Sequence, residues 1–390
     1  MVPILAAAVS IFAQALPAIS CRGEDLVTPD GKPILLRGVN LGGWLVEEPW
    51  MTPWKTDPPA GSNQPKATNH VDLWNAVEHH LGRDAMLRVR NAWRDDWISD
   101  QDLRMIKSAG FNHVRIPFLD SILDEPGGLE RLRKSVDMAA RNGLYVVLDM
   151  HGAPGGQSGE DHTGQGKRNR LWFDPQNIAK MEEIWTKLAR EFKGSEVAMY
   201  DLMNEPMGAP NPAMLHLVYD RVVRAVRKVD PDKVLLIEDG YKGFDTTPHP
   251  NVPGWTNVCF SLHFYQFDAK TTQDHLDVMK RDKPKIKELQ GYRQAPMYIG
   301  EFNLEPHAGP DVTRAYVDQM VEAGWSYAIW AWKASPVEGT LGQWGVIHPT
   351  RPTSPIDPFT DSEETMIAKI RTARTGNFQP IPGLLSALVH

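Results

Sequence analysis

Leu202-Met203-Asn204-Glu205-Pro206 is the stretch from which the rest of the chain can be placed. It follows the apolar run Val197-Ala198-Met199-Tyr200, which has the composition of a buried strand, and Pro206 ends that strand at once. A carboxylate at the end of a buried strand costs free energy unless it has a partner or a task. The same pattern returns at Pro296-Met297-Tyr298-Ile299-Gly300-Glu301-Phe302. The two glutamates are therefore the first candidate functional pair.

Eight short apolar runs carry the expected strands. They lie at residues 34–39, 112–118, 144–150, 197–203, 234–237, 258–264, 297–302 and 327–332, and helical periodicity is found at 99–110, 129–142, 174–194, 212–229, 274–289, 311–323 and 362–373. Most runs are continuously apolar, as expected of parallel strands that are covered on both faces. This α/β alternation predicts a (β/α)8 TIM barrel. A doubly wound open sheet is the alternative, but no Gly-rich fingerprint follows the first strand.

The chain shows no linker, low-complexity tract or internal repeat beyond this alternation. Residues 21–390 are therefore predicted to form one domain. Residues 52–97 form an insertion after the first strand, with an irregular, Pro-rich part at 53–69 and helical periodicity at 71–81 and 83–93. The prediction is one barrel with a small helical insertion after strand one.

Residues 1–20 resemble a secretory signal peptide. The segment from Val2 to Ile19 carries no charge, and Ala13-Gln14-Ala15 and Leu16-Pro17-Ala18 offer small residues for cleavage, although no Lys or Arg precedes them. A single membrane anchor is the alternative, and the run lies near the lower length limit for spanning. We therefore expect a secreted, extracellular or periplasmic protein that is not stably inserted in a membrane.

The composition and charge limit the classes of binding partner and cofactor that are expected. A net charge of −7 without a long basic run argues against nucleic acid. Cys21 and Cys259 are not expected to form a disulfide. No set of His, Cys and carboxylate residues has convincing metal-ligand spacing, so no metal or other cofactor is expected. A monomer is expected.

In TIM barrels the active site lies at the carboxyl ends of the strands. For the eight strands in order, the polar and aromatic residues found there are Asn40 and Glu48, Arg115, Asp149 and His151, Asn204 and Glu205, Glu238 and Asp239, His263 and Tyr265, Glu301 and Asn303, and Trp330 and Trp332. His113 is expected to point to the opposite face from Arg115 and to serve packing or hydrogen bonding. The convergence of a cation, imidazoles and carboxylates at one end predicts an active site.

Two of these carboxylates suit the cleavage of a glycosidic bond. A retaining glycosidase places two carboxyl groups about 5–5.5 Å apart, one ionised for attack and one protonated to assist the leaving group. Arg115 and Tyr265 would hold Glu301 ionised by charge and hydrogen bonding. Burial and repulsion from Glu301 would keep the proton on Glu205. The amide of Asn204 suits a sugar 2-hydroxyl.

A series of motifs occurs in a fixed order along the chain. They are Arg37-Gly38-Val39-Asn40-Leu41-Gly42-Gly43-Trp44 with Glu48-Pro49, the stretch from Trp97-Ile98-Ser99 to Val114-Arg115-Ile116-Pro117, Asp149-Met150-His151-Gly152, Asn204-Glu205-Pro206, His263-Phe264-Tyr265, Gly300-Glu301-Phe302 and Trp330-Ala331-Trp332-Lys333. Together they resemble glycoside hydrolase family 5, within the cellulase superfamily, and its branch of fungal exo-β-1,3-glucanases. The resemblance implies a retaining hydrolase of β-glucosidic bonds in β-glucans, with Glu205 as acid/base and Glu301 as nucleophile.

The resemblance also implies a set of substrate-binding residues. These are Glu48, Arg115, His151, Asp161, Asn204, His263, Tyr265 and Trp330, and the position of Trp332 at the end of strand eight adds it to the set. Within the set, Glu48 and Asp161 would hold the glucose at the non-reducing end. Trp330 would give a flat platform under the reacting sugar.

The loop after strand three departs from that branch. The branch usually carries Asn-Gly-Phe-Asp-Asn, whereas this chain has Ser158-Gly159-Glu160-Asp161-His162. Glu160 therefore stands where a Phe helps to form an aromatic clamp at the pocket mouth, and we expect internal cleavage of longer β-1,3-linked oligosaccharides. The alternatives are a β-1,4-glucanase, a β-glucosidase of small glucosides, a transglycosylase, and a carbohydrate-binding protein without catalysis.

Overall fold

A closed barrel of eight parallel strands forms the centre of the protein. The structure is a computed structural model that describes residues 16–194, 196–240, 246–337 and 344–389. In chain order the strands are β1 Ser20–Arg22, β2 Asp25–Val27, β3 Arg37–Asn40, β4 His113–Leu119, β5 Tyr145–Gly152, β6 Val197–Asp201, β7 Val234–Glu238, β8 Val258–Phe264, β9 Met297–Phe302, β10 Ser326–Ile329, β11 Ile347–Pro349 and β12 Phe378–Pro380. Strands β3 to β10 pair in sequence order, and β10 closes on β3. The predicted (β/α)8 TIM barrel is confirmed.

Helices surround the barrel close to the predicted positions. They are α1 His70–Leu81, α2 Arg83–Asp96, α3 Asp100–Ala109, α4 Gly128–Arg141, α5 Pro175–Phe192, α6 Pro212–Arg227, α7 Thr272–Arg293, α8 Pro310–Glu322, α9 Glu363–Thr372 and α10 Leu384–Leu388. The start of α6 shows how the sequence sets them: Asn211 accepts a hydrogen bond from the Met214 amide, and Pro212 fills a position that needs no donor. Helices α1 and α2 form the predicted insertion after the first barrel strand.

The amino end of the barrel interior is closed by apolar side chains. Residues from the starts of the strands cluster there with the β1–β2 hairpin: Ile19, Leu26, Leu36, Tyr145, Val147, Ala198, Met199, Val234, Leu236, Cys259, Tyr298 and Ala328. We call this cluster the barrel floor. Its apolar area contributes to stability at about 25 cal/mol per Å² removed from water, so this end is a packed core rather than a pore.

His113 lies next to the floor, inside the barrel. Its Nε2 is 3.0 Å from the Tyr298 hydroxyl oxygen, and its ring fills the space beside Gly38, where a Cβ would come within 2.4 Å of it. The prediction that His113 and Arg115 face opposite ways was wrong, because residues two apart on a strand share a face. Burial lowers the pKa of His113 to about 3, so the ring is neutral.

An irregularity in β9 turns Glu301 into the barrel. Tyr298 and Glu301 are three residues apart, yet Tyr298 belongs to the floor and the Glu301 carboxylate reaches Arg115 in the interior. The register between β8 and β9 shifts between Ile299 and Glu301, which makes Gly300 the extra residue of a bulge. A Cβ at Gly300 would lie 2.9 Å from Nε2 of His263. Only glycine therefore fits at this position without displacing the side chains of Ser261 and His263.

Residues 1–15 of the predicted signal peptide lie outside the described residues. The segment that follows contacts the barrel floor. The Tyr145 hydroxyl donates a hydrogen bond to the Pro17 carbonyl at 2.8 Å, and Ile19 is buried. Within the described part of the chain, no helix has the length and apolar character that crossing a membrane requires.

Candidate active site

Glu205 and Glu301 come together at the carboxyl end of the barrel, the first just after β6 and the second within β9. Both side chains are buried. The His263 ring lies beside both, with Nδ1 2.8 Å from Oε1 of Glu205 and 3.5 Å from Oε2 of Glu301. One oxygen of each carboxylate and one nitrogen of His263 lie within 4.8 Å of one another. The structure therefore brings the two predicted carboxylates into a close pair.

The backbone at Glu205 adopts a conformation that is rare for residues with a Cβ. Its φ is 38°, in the left-handed region. The Glu205 amide donates to Oε2 of Glu238 at 2.7 Å, and the Gln157 side chain donates to the preceding carbonyl, that of Asn204, at 2.8 Å. These bonds offset a backbone cost of about 1–3 kcal/mol and fix the direction of the Glu205 side chain.

Arg115 joins the strands below the pair. It is fully buried, and Nη1 donates to Glu301 Oε1 at 2.7 Å, while Nη2 donates to Asn204 Oδ1 at 2.9 Å. The guanidinium also contacts Asn40, Asp149, Asp201 and Glu238, so that it links six strand ends. A planar guanidinium with five donors suits such a network. Arg115 thereby fixes the position of Glu301 relative to the rest of the barrel.

The charges around Arg115 leave Glu301 as the ionised partner. Burial raises the pKa of Asp201 to about 7, and it raises the pKa values of Asp149 and Glu238 as well. Burial alone would also raise the pKa of Glu301, but the positive charges of His263 and Arg115 lower it. The Tyr265 hydroxyl donates to Oε2 of Glu301 at 2.7 Å. With one donor on each oxygen, Glu301 is held ionised and oriented.

Burial and repulsion from Glu301 do not keep a proton on Glu205, contrary to the expectation from the sequence; the proton lies in the hydrogen bond between Glu205 and His263. Burial alone would lower the pKa of His263, but Glu238 and Glu301 raise it well above the usual range. Burial would raise the pKa of Glu205, but the His263 bond and the charges of nearby imidazoles lower it to about 2. The Glu205–His263 pair holds the same number of protons whether Glu205 is ionised beside an imidazolium or neutral beside a neutral imidazole. The pair therefore titrates as a unit across one 2.8 Å bond.

A pocket for polar groups adjoins the pair. Glu48 is buried, and its Oε2 accepts a hydrogen bond from Trp50 Nε1 at 2.8 Å, while its Oε1 has no partner among the described residues. Burial raises the pKa of Glu48 to about 7. Nδ2 of Asn204 is likewise buried without a partner within the described ranges. The rings of His151 and Trp330 stack beside them at 5.3 Å. Unpaired buried polar atoms of this kind are suited to sugar hydroxyls.

Aromatic rings form one wall of the mouth. Phe267, which is 65% exposed, stacks on Tyr265 at 5.2 Å and on Trp344 at 6.0 Å. Trp50 meets Trp344 edge to face, and it also lines a cavity of about 520 Å³ together with Trp54 and Lys55. Glu160, on the loop after β5, is exposed. The platform of rings defined by Tyr265, Phe267 and Trp344 is called the aromatic wall below.

Comparison with known proteins agrees with this geometry. The model of the cellulase family (glycosyl hydrolase family 5) matches residues 66–336. The chain belongs to glycosyl hydrolase family 5. It is 30% identical over 386 residues to a probable glucan 1,3-beta-glucosidase A of Neosartorya fischeri, covering 84% of this chain and 89% of that protein. This family 5 protein is therefore a glycosyl hydrolase.

Two further similarities show how broadly the family 5 framework is shared. The chain is 26% identical over 376 residues to a beta-xylosidase of Phanerodontia chrysosporium, covering 88% of this chain and 75% of the relative. The fold is similar to the crystal structure of a rutinosidase from Aspergillus niger, with a TM-score of 0.63 and 18% identity over 80% of this chain and 95% of that one. The structural similarity supports the barrel fold alone.

Two predicted binding residues of the family 5 chain lie apart from the others. Trp332 is fully buried, and its Nε1 donates to Oδ1 of Asp102 on α3 at 2.9 Å. Its ring therefore faces the helix layer, and the structure does not bring it to the pocket. Asp161 is exposed, and its carboxylate accepts a hydrogen bond from Asn69, the residue before α1, at 3.1 Å. Asp161 thus ties the loop to the insertion.

Several residues of the site were not singled out from the sequence as site residues. Gln157 connects the loop after β5 to the segment that follows β6, because its amide donates to the carbonyls of His151 and Asn204, each at 2.8 Å. His162 reaches Glu205, with Nε2 3.4 Å from Oε2. The only sequence signal for either was its position in the loop that departs from the family pattern.

The described residues include one group whose geometry would admit a metal ion, formed by Glu205, His263 and Glu301. Nδ1 of His263 already hydrogen bonds with Oε1 of Glu205, and the Arg115 guanidinium lies 2.7 Å from Glu301. A cation would be repelled by Arg115 and by a protonated His263. The donor set therefore fits an acid/base pair better than a metal site.

Proposed function

We propose that this family 5 protein is a retaining hydrolase of β-glucosidic bonds in β-glucans, acting by double displacement. Glu301 is the nucleophile and Glu205 the acid/base. The observation that carries the proposal is the approach of the two carboxylates, with one oxygen of each within 4.8 Å. Retaining enzymes separate the two carboxyl groups by about 5–5.5 Å, whereas inverting enzymes leave about 6.5–9.5 Å for a water.

In the first step Glu301 attacks the anomeric carbon and the leaving oxygen takes a proton. Arg115 and Tyr265 hold the two oxygens of Glu301, which leaves the carboxylate a fixed direction of attack. Glu205 supplies the proton that it shares with His263. Nδ2 of Asn204, which has no partner among the described residues, is placed for the 2-hydroxyl of the reacting sugar, where hydrogen bonds strengthen in the transition state.

In the second step water releases the sugar from Glu301. The ester bond removes the negative charge of Glu301, and with it part of the attraction that raises the pKa of His263, the partner of Glu205. Glu205 then remains ionised and takes a proton from water, as a general base requires. The same carboxyl group thus serves both steps because the charge of its partner changes between them.

The glucose specificity is supported by the pocket and by the names of the relatives. The open oxygen of Glu48 and the Trp330 ring suit a sugar with several equatorial hydroxyls. The similarity to a probable glucan 1,3-beta-glucosidase supports β-1,3-linked glucose as the substrate of this chain, and the similarity to a beta-xylosidase makes xylosides the comparison substrates to include. The partner is thus an oligo- or polysaccharide, and the enzyme needs no cofactor.

The mode of attack is proposed to include internal cleavage. The aromatic wall lines one side of the mouth, and the exposed Glu160 stands on the loop where a second ring would close it. Longer laminari-oligosaccharides should therefore be cut internally, and β-1,4-linked chains and aryl glucosides serve as comparison substrates. Release of glucose alone from every chain length would rule out internal cleavage.

The mechanism is tested by the configuration of the products. Proton NMR during laminarin hydrolysis should show β-anomers first, and initial α-anomers would overturn retention. Azide then separates the two roles in alanine variants acting on 2,4-dinitrophenyl β-glucoside. Azide that replaces Glu301 in Glu301→Ala should give the α-glucosyl azide, whereas azide that replaces water in Glu205→Ala should give the β-azide. The reverse products would exchange the two assignments.

We further propose that the protein is a secreted monomer. Cleavage after Ala13-Gln14-Ala15 would leave the contacts of Pro17 and Ile19 with the barrel floor in place. Expression in a secreting host followed by N-terminal sequencing should give Leu16 as the first residue. Retention in the membrane fraction would support an anchor instead. Light scattering of the purified protein tests the monomer.

A further inference from the structure

Glu205 has an imidazole beside each of its oxygens. His263 lies at Oε1 from the barrel side, and Nε2 of His162 lies 3.4 Å from Oε2 from the loop side. Nε2 of His162 is buried and has no hydrogen-bond partner within the described parts of the chain. A small movement would turn this contact into a hydrogen bond, because normal donor–acceptor distances are about 2.7–3.2 Å.

The loop holds His162 in this position. His162 belongs to the short 3-10 turn Asp161–Thr163. On one side of the turn, Asp161 is bonded to Asn69, and on the other the Val71 amide donates to the Gly164 carbonyl at 2.9 Å. Both bonds lead to the helical insertion, so the position of the ring does not depend on a free loop.

The groups that face His162 are few. They are the carboxylates of Glu205, Glu301 and Glu160 and the ring of His151, which meets His162 edge to face at 5.9 Å. Burial lowers the pKa of His162, so the ring is neutral at neutral pH. A neutral imidazole can donate to the ionised form of Glu205 or accept from its protonated form, depending on the tautomer.

We propose that His162 is a positioning residue for the acid/base carboxylate, holding Oε2 of Glu205 from the loop while His263 holds Oε1 from the barrel. The inference rests on the proposed role of Glu205. His162 does not touch the reacting atoms; it acts through the orientation and protonation of Glu205. When His162 becomes protonated at acidic pH, its charge holds Glu205 ionised and shifts the shared proton towards His263, which weakens Glu205 as the general acid.

The leaving group provides the first test, because only a poor leaving group needs a proton from Glu205. His162→Ala should lower kcat/KM about 10-fold on phenyl β-glucoside and less than about two-fold on 2,4-dinitrophenyl β-glucoside. His162→Gln, which keeps an amide donor near the same place, should restore most of the loss. Equal losses on both substrates would overturn the proposal, since a loop that had merely been distorted would affect both.

The pH profile provides the second test, because glutamine does not titrate. In His162→Gln, kcat/KM should keep its plateau value down to a lower pH than in the wild type, because there is no His162 ring whose protonation would hold Glu205 ionised. An acidic limb identical to that of the wild type would overturn the proposal. His216→Gln is the matched control: this half-buried histidine on α6 bonds the Thr246 carbonyl, and its loss should alter neither readout.

A third variant separates this inference from the proposed function. Glu205→Gln should abolish the hydrolysis of phenyl β-glucoside and spare the first step on the dinitrophenyl substrate. If Glu205→Gln shows no such dependence, the assignment of Glu205 itself fails. If Glu205→Gln shows it and His162→Ala does not, only the role of His162 fails.

Discussion

The two ends of the barrel interior are built from the same eight strands but have opposite chemistry. At the amino end the floor consists almost wholly of apolar side chains, with Tyr298 bonded to one neutral imidazole, that of His113. At the carboxyl end Arg115 is surrounded by buried carboxylates and amides. Burial favours the first arrangement and opposes the second. The floor thus supplies stability that supports a costly charged layer, and substitutions at the two ends should have different consequences.

The largest effect is expected for a substitution of Glu301, which should reduce turnover without reducing stability. Glu301→Ala should lower kcat/KM by about 10⁴-fold or more, while the melting temperature holds or rises because a buried carboxylate is removed. Steady-state kinetics and differential scanning calorimetry measure both. Glu288→Ala, at an exposed position of α7, is the control. More than about a tenth of wild-type activity left in Glu301→Ala would contradict the role of this end of the barrel.

A substitution of Arg115 should reduce stability as well as activity, unlike the substitution of Glu301. Arg115→Met leaves the carboxylates around it without their cation, so it should lower the free energy of unfolding by about 3–5 kcal/mol as well as reduce activity. Urea unfolding combined with activity assays checks this, with exposed Arg281→Met on α7 as the control. Unchanged stability would show that the carboxylates are protonated enough to do without Arg115.

The pH dependence of the unfolding free energy can measure what it costs to bury the charge of Glu48 at the carboxyl end of the barrel. Burial raises its pKa to about 7, above that of an unfolded glutamate. Stability is therefore highest below the unfolded pKa and falls as pH rises through the folded one. Relative to Glu48→Gln, the wild type should lose up to about 3 kcal/mol between about pH 4.5 and pH 8. Unfolding free energies of both proteins across this window measure the difference, and parallel curves would refute the prediction.

The smallest effect is expected at the floor. Tyr298→Phe removes the hydroxyl that meets Nε2 of His113, so it should lower the free energy of unfolding by about 1–3 kcal/mol. The value of kcat should stay unchanged at temperatures where the variant is folded. Tyr292→Phe, on the exposed surface of α7, should change neither quantity. A fall in kcat for Tyr298→Phe would mean that the floor and the charged layer are coupled.

Gly300 is the site of a backbone irregularity that the sequence pattern did not predict. Alternation along a strand predicts which residues share a face, but Tyr298 and Glu301 both point inwards because Gly300 forms a bulge. The pattern of apolar residues contains no mark of a bulge, since Gly300 is compatible with a regular strand too. Trp332 shows a similar limit: its place after the eighth strand predicts the pocket, but the chain turns its ring towards Asp102.

The sequence by itself determined the barrel and pointed to Glu205 and Glu301 as the candidate catalytic pair. Continuous apolar runs at regular spacing leave few ways to bury eight strands, and polar residues at their ends must then meet at one place. Only the tertiary structure decided how Glu205 is surrounded. His263 and His162 are 58 and 43 residues away from Glu205 along the chain. The distance from His263 depends on the pairing of β6, β7 and β8, and the distance from His162 depends on a loop tied to the insertion. No local pattern encodes such distances, because they result from the packing of segments that are remote in the sequence.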